Sequence, residues 1–183
     1  MTIDNAEVEI PKVTIDDKGN LVIVASPTSS QYDFDFYVGN WSLQNKRLKS
    51  RLDNCNEWIE FDATVKMYKV LNGMGNIDNI YTTLNGNPFE GMSVRFFNPE
   101  TKLWSIHWAD TSTLKMDKPT VGSFDKDFGH FYTLDTIGDK NIFVVYRWDI
   151  RNKEKPIWSQ AFSPDKGQNW EWNWYMYFSR VTK

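Results

Sequence analysis

The sequence predicts an all-β protein: an antiparallel up-and-down barrel of about ten strands over residues 32–183, preceded by an N-terminal β-hairpin arm over residues 1–31. Three observations carry that expectation. Most of the chain reads as short alternating segments rich in β-branched and aromatic residues, the pattern of strands with one covered face. Gly, Asn, Asp and Pro recur between these segments at the spacing of an antiparallel meander, and helical periodicity is almost absent. With no helix to cover a sheet, ten consecutive strands would expose two edges, and rolling the sheet shut removes them. A two-sheet sandwich is the competing arrangement. The 183 residues, 40% hydrophobic and 16% aromatic, suffice for one core.

The arm comes first. In "VEIPKVTIDDKGNLVIVAS" two apolar strands flank the turn Asp17, Lys18, Gly19, Asn20, and the loop-like "PTSSQ" follows. A lone hairpin is marginal in water, and Leu21, Val22, Ile23 and Val24 would form an adhesive strand. The arm is therefore expected to dock on the barrel or on a second subunit, which makes a homodimer through the hairpin a candidate assembly. Barrel strands are expected near 41–50, 57–70, 76–84, 91–98, 102–110, 119–124, 128–137, 141–151, 156–163 and 170–182. Between them, "NGN" at 85–87, "NPETK" at 98–102, "GDKN" at 138–141 and "SPDKGQNW" at 163–170 carry hairpin chemistry, so sequence neighbours should pair.

Charge and composition remove several functions. A formal charge of −3 and a pI near 5.4 leave no basic field for a phosphate backbone or an anionic lipid surface, so neither nucleic acid nor a membrane is an expected partner. No window approaches the roughly 18 apolar residues of a membrane-spanning helix. The N-terminal "MTIDNAEVEIPK" lacks the basic start and apolar run of a signal peptide, and a cytoplasmic location is expected. Cys55 is the only cysteine, which rules out an intramolecular disulfide; in polar "LDNCNEW" it reads as a loop thiol.

Gly39, Asn40 and Trp41 in "FDFYVGNW", together with Arg180 late in the last strand in "YFSRV", resemble the calycin pattern of lipocalins, avidins and fatty-acid-binding proteins. Longer strings extend the likeness: "LNGMGNID" at 71–78, "LWSIHWAD" at 103–110, "VGSF" at 121–124 and "WSQAFSPDKGQNWEWNWYMYFSR" at 158–180. From residue 33 onward the chain is similar to an uncharacterised family of bacterial calycin-like barrel proteins. The resemblance implies that Trp41 plugs the closed end with Arg180 against its ring, an attraction of about 0.5–2 kcal/mol. It implies no biochemical role.

A second motif points elsewhere. Ser163, Asp165, Gly167 and Trp170 in "SPDKGQNW" match the Asp-box string of sialidase-like propellers, with Asn169 where threonine is usual. One copy cannot build a propeller, so a structural role is expected, the carboxylate bonding turn amides above a packed tryptophan.

Alternation then sorts side chains by face. Trp41 shares its face with Leu43, Asn45 and Arg47, and Arg180 shares its face with Phe178, Met176, Trp174 and Trp172. If Trp41 and Arg180 meet, both sets line the barrel. Trp158, Gln160 and Phe162 form an apolar face interrupted by one amide, which makes Gln160 an anchor candidate. Over 102–110, Trp104, Ile106 and Trp108 are the better apolar face, leaving His107 outside. Over 141–151 the inward set is open: Ile142, Val144, Tyr146 and Trp148, or Phe143, Val145 and Arg147. An inward Arg147 would need an anionic ligand or a carboxylate such as Glu60. Candidate ligand-binding residues are Asn45, Arg47, Trp108, Tyr146, Gln160 and Trp174, with Trp41 and Arg180 as the plug. Each has a packing alternative, because aromatics fill barrels with or without a ligand and amides satisfy buried backbone groups.

Catalytic constellations are sparse. His107 and Asp110 fall on opposite strand faces, and His130 is the only other histidine, so no metal site is expected, and no cofactor. "NGMGN" lacks the Lys-Ser/Thr pair and the following helix of a phosphate cradle. Glu60 and Asp62 share a solvated face with Lys66. Three readings remain: a barrel that binds a small apolar or aromatic molecule; an isomerase- or cyclase-type enzyme using the same pocket, with His107, Arg147 or a tyrosine handling protons; and an interaction module working through the hairpin.

Overall fold

The computed structural model describes residues 9–181. Residues 1–8, at the start of the expected arm, and 182–183, at the end of the last expected strand, lie outside the described residues. The arm contributes β1 (Thr14–Ile15) and β2 (Leu21–Val22). The barrel strands are β3 (Gly39–Leu48), β4 (Trp58–Val70), β5 (Gly75–Leu84), β6 (Asn87–Asn98) and β7 (Leu103–Asp110) in the first half. The second half adds β8 (Thr120–Asp125), β9 (Phe128–Ile137), β10 (Lys140–Asp149), β11 (Ile157–Ser163) and β12 (Glu171–Arg180). Strands β3 to β12 each pair antiparallel with their sequence neighbours, and β12 returns to β3, so the ten close a barrel separate from the two-stranded arm sheet. The sandwich alternative is thereby excluded. Among the described residues no helix is long and apolar enough to cross a membrane.

Closure depends on the seam between β3 and β12, whose register runs from Trp174 opposite Arg47 to Arg180 opposite Trp41. The Arg180 guanidinium lies 4.2 Å from the Trp41 ring centroid and donates to the carbonyls of Val38 (2.9 Å) and Phe36 (2.6 Å). Trp41 in turn donates its Nε1–H to Tyr37 O at 2.8 Å. Gly39 opens the strand at φ 120°, in the region that favours glycine, which explains the glycine two residues before the tryptophan. A short 3-10 turn, Asp35–Tyr37, crosses beneath the barrel and delivers Phe36 and Tyr37 into its end. Phe34 meets Trp104 and Phe124 edge-on at 5.0 and 5.1 Å. These edge-to-face pairs are the favoured geometry of packed rings, and Phe34, Tyr37, Trp41, Trp104 and Phe124 are all buried at this end.

The arm docks on the outside of its own barrel. Leu21 and Ile23, with Ile10 and Val13, pack on Tyr132, Val145 and Ala161 alongside Trp170 and Trp172. Tyr132 donates its hydroxyl to Pro11 O at 2.9 Å, and Ser26 N donates to Ser123 Oγ at 2.9 Å. Strand alternation leaves Val22 and Val24 outward, 44% and 84% exposed.

Two local features shape the last hairpin. Asp165 accepts from Ser163 Oγ (2.7 Å), Asn169 N (2.9 Å) and Asn169 Nδ2 (2.6 Å), while Gly167 N donates to Ser163 Oγ at 2.8 Å. The Asp-box string thus fixes a turn, and Trp170 packs against the arm. A β-bulge follows: Gln160 pairs with Trp174 and Ala161 with Trp172, so Asn173 is the extra residue. This overturns the expectation that Trp172 lines the barrel. An extra residue inverts the side-chain alternation beyond it, and Trp172 lies outside, over Arg147.

Candidate ligand-binding site

Above the aromatic plug the barrel holds a cavity of about 570 Å³ that opens at the opposite end. One wall is aromatic: Trp158 stands between Tyr146 (5.0 Å between ring centroids) and Trp174 (5.7 Å, planes at 90°). These side chains come from three consecutive strands, β10, β11 and β12: Tyr146 and Trp174 both pair with Gln160, and Trp158 lies two residues before it on the same face of β11. Facing them is Trp108 of β7, whose Nε1–H donates to Asp110 Oδ2 at 3.0 Å. Gly91 of β6 makes that placement possible, because a Cβ there would overlap the Trp108 ring. Leu43, Val65, Ile80, Ile106 and Val144 supply the aliphatic remainder.

The floor is polar, which sequence reasoning missed. Asp78 of β5 and Arg95 of β6 form an ion pair with side chains only 4% and 5% exposed, and Arg95 also donates to Asn76 Oδ1 at 3.0 Å. The guanidinium lies 5.1 Å from the Phe34 ring and 5.4 Å from Tyr37, on top of the plug. Arg95 Nε is buried without a hydrogen-bond partner, as is Trp148 Nε1, another cavity-lining donor. Burial, with the Asp78 charge beside it, holds the Tyr37 phenol protonated far above its ordinary value. The floor therefore offers donors to a neutral hydrogen-bonding group, while its fixed charges cancel.

The mouth is charged. Arg47 lies over Trp174 (5.2 Å) and Phe61 (5.7 Å), and Arg51, in the β3–β4 loop, over Phe162 (5.9 Å). Across the ring, Asp117 in the β7–β8 loop and Asp135 on β9 also line the opening. Burial, and then the charges of Asp110 and Asp135, push the Asp117 carboxyl up. Burial, and then Asp117 and Asp135, push the Tyr146 phenol up, so Tyr146 stays protonated and offers a hydrogen-bond donor at neutral pH.

Of the expected ligand-binding residues, Arg47, Trp108, Tyr146, Gln160 and Trp174 line this cavity. Asn45 does not; it is buried beside it, and its Oδ1 accepts from Trp174 Nε1 at 3.0 Å, which orients that indole. Gln160 donates to Asn173 Oδ1 at 2.8 Å, so its amide is already held by the bulge. Both weak catalytic candidates lie outside: His107 packs against Phe96 at 5.8 Å, and Arg147 stacks on Trp172 at 4.1 Å beneath the arm. Glu60 lies exposed on the outer face of β4, four strands from Arg147 on β10 along the shorter way around the ring, too far to pair with it. Among the described residues no group of three or more His, Cys, Asp or Glu side chains could hold a metal ion. A scan against models of known protein families finds no match to this chain, and a search of curated proteins likewise finds none.

Proposed function

We propose that this protein is a small-molecule-binding barrel whose ligand is apolar or aromatic and sits in the central cavity. The observation that carries the reading is an aromatic wall, Tyr146, Trp158 and Trp174, bordering unfilled space above a fully packed plug. A volume of about 570 Å³ falls within the ~300–1,000 Å³ of pockets that enclose small ligands. A filled barrel would bury those rings against one another, whereas here Tyr146 and Trp174 remain only partly buried. The plug built on Trp41 and Arg180 supports kinship with calycin-like barrel proteins. An isomerase- or cyclase-type reading finds less support, since His107 and Arg147 face away from the cavity and Tyr146 is held protonated. Among the described residues, a homodimer through the arm would have the exposed Ile15, Val22 and Val24 to use, because Ile10, Val13, Leu21 and Ile23 pack on the barrel.

The neutral probe N-phenyl-1-naphthylamine tests the reading. Titration should quench tryptophan emission at micromolar concentrations while the probe brightens. Trp174→Ala should weaken that response at least tenfold. A chain that leaves the probe dim at saturating protein does not hold a ligand in its barrel.

A further inference from the structure

The mouth of the cavity carries a charge that the chain as a whole does not. The protein has a net charge of −3. Yet the mouth-lining side chains include four cations, Arg47, Arg51, Lys115 and Lys118, against two carboxylates, Asp117 and Asp135. The lysines are exposed on the β7–β8 loop. The two arginines differ: both are half-buried and both lie on aromatic rings of the cavity wall.

Among the described residues neither Arg47 nor Arg51 forms an ion pair, and Arg51 Nε is buried with no hydrogen-bond partner. The acid nearest in influence on Arg51, Glu171, accepts from Leu52 N at 3.0 and 2.8 Å and forms no ion pair with either arginine. Asp117 and Asp135 come from the far side of the ring and crowd each other there. Burial, and then the neighbouring Arg47 charge, disfavours the charged form of Arg51. Two half-buried guanidiniums that repel each other and form no ion pair become more favourable once an oxyanion joins them.

We propose that the ligand is a small aromatic anion: its carboxylate, sulfonate or phosphate sits on Arg47 and Arg51 at the mouth, and its ring enters between Trp174, Trp158 and Tyr146. This rests on the ligand-binding reading above and narrows it. Arg47 serves both ends, since the face of its guanidinium covers Trp174 while its edge remains free to pair with an oxyanion.

The test compares two probes that share one skeleton, neutral N-phenyl-1-naphthylamine and its sulfonate, 8-anilinonaphthalene-1-sulfonate. The sulfonate should bind the wild-type protein at least tenfold tighter. In Arg47→Gln/Arg51→Gln that advantage, read as the ratio of the two affinities within one protein, should vanish, and a cooperative urea transition shows that the variant is folded. Equal affinities in the wild type, or an advantage that survives the double substitution, overturn the anion site and leave the binding barrel standing. If neither probe binds, the barrel reading itself fails. A second measurement needs no variant: 2-naphthoate and 2-naphthyl phosphate should displace the neutral probe at least tenfold more effectively than 2-naphthol. Whichever of the two acids is stronger identifies the oxyanion, and parity of both with 2-naphthol overturns the proposal.

Discussion

At Gly91 the chain gives up a side chain so that the Trp108 indole can lie flat against β6. Gly91→Ala is therefore expected to swing Trp108 out of place, reducing stability by about 1–3 kcal/mol and shifting tryptophan emission, as urea titration followed by fluorescence will show. His130 makes a second residue-scale prediction. Burial first, and the Arg147 guanidinium second, lower it from 6.5 to about 4, and its Nε2 has no hydrogen-bond partner. It is neutral in the folded protein, while the unfolded chain takes up a proton below about 6.5. The stability it contributes is complete above that pH, declines as pH falls toward 4 and is gone below it, a total of about 3 kcal/mol. Urea midpoints measured at pH 7.5 and 4.5 should differ less in His130→Gln than in the wild type; an unchanged difference would place the acid sensitivity elsewhere. Residues were the scale at which sequence reading was weakest. On β6, Met92, Val94 and Phe96 are the apolar set, and they face outward, while Ser93 and Arg95 face in. Binary patterning points the wrong way when a lumen is polar at its floor and the outer wall carries exposed aromatics such as Phe96.

Among elements, the seam between β3 and β12 holds the closed end together. Arg180→Met removes two charge-assisted bonds to the carbonyls of Phe36 and Val38 along with the contact on Trp41, and should cost about 2–4 kcal/mol by chemical denaturation. A cost near zero would mean that the plug stands without it. The arm is a smaller unit. Leu21→Ala/Ile23→Ala trims partly buried side chains from its docking face and is expected to lower stability by about 2 kcal/mol, with earlier proteolysis between residues 9 and 31 in a limited digest. Elements were largely legible. Turn chemistry set the hairpins, and β9 spans the expected residues, Phe128–Ile137. The bulge at Asn173 was not legible, because "EWNWYMYF" reads as unbroken alternation until a partner strand imposes register, and Trp172 was consequently assigned to the wrong face.

For the molecule as a whole, closure followed from edge arithmetic: ten paired strands and no covering helix leave a ring as the arrangement without open edges. The contents of the ring did not follow so directly. Trp41 and Arg180 could be matched by their places in the first and last barrel strands, Trp174 by alternation from Arg180, and Trp108 and Gln160 by the apolar faces of their own strands, whereas the inward face of the strand carrying Tyr146 stayed open. Asp78 with Arg95, and Arg47 with Arg51, depend on the depth of each side chain in a tilted barrel, which no single strand encodes. If the interior, and not the outer wall, receives a ligand, the nine tryptophans report it by where they lie. Trp108, Trp148, Trp158 and Trp174 line the cavity, Trp41 and Trp104 belong to the packed end, and Trp58, Trp170 and Trp172 lie outside. A two-dimensional nitrogen–proton spectrum resolves each indole N–H. On saturation with N-phenyl-1-naphthylamine, the signals of the four lining indoles should move while those of Trp58, Trp170 and Trp172 stay in place. Movement confined to the outer three, with the lining signals unchanged, would contradict binding inside the barrel.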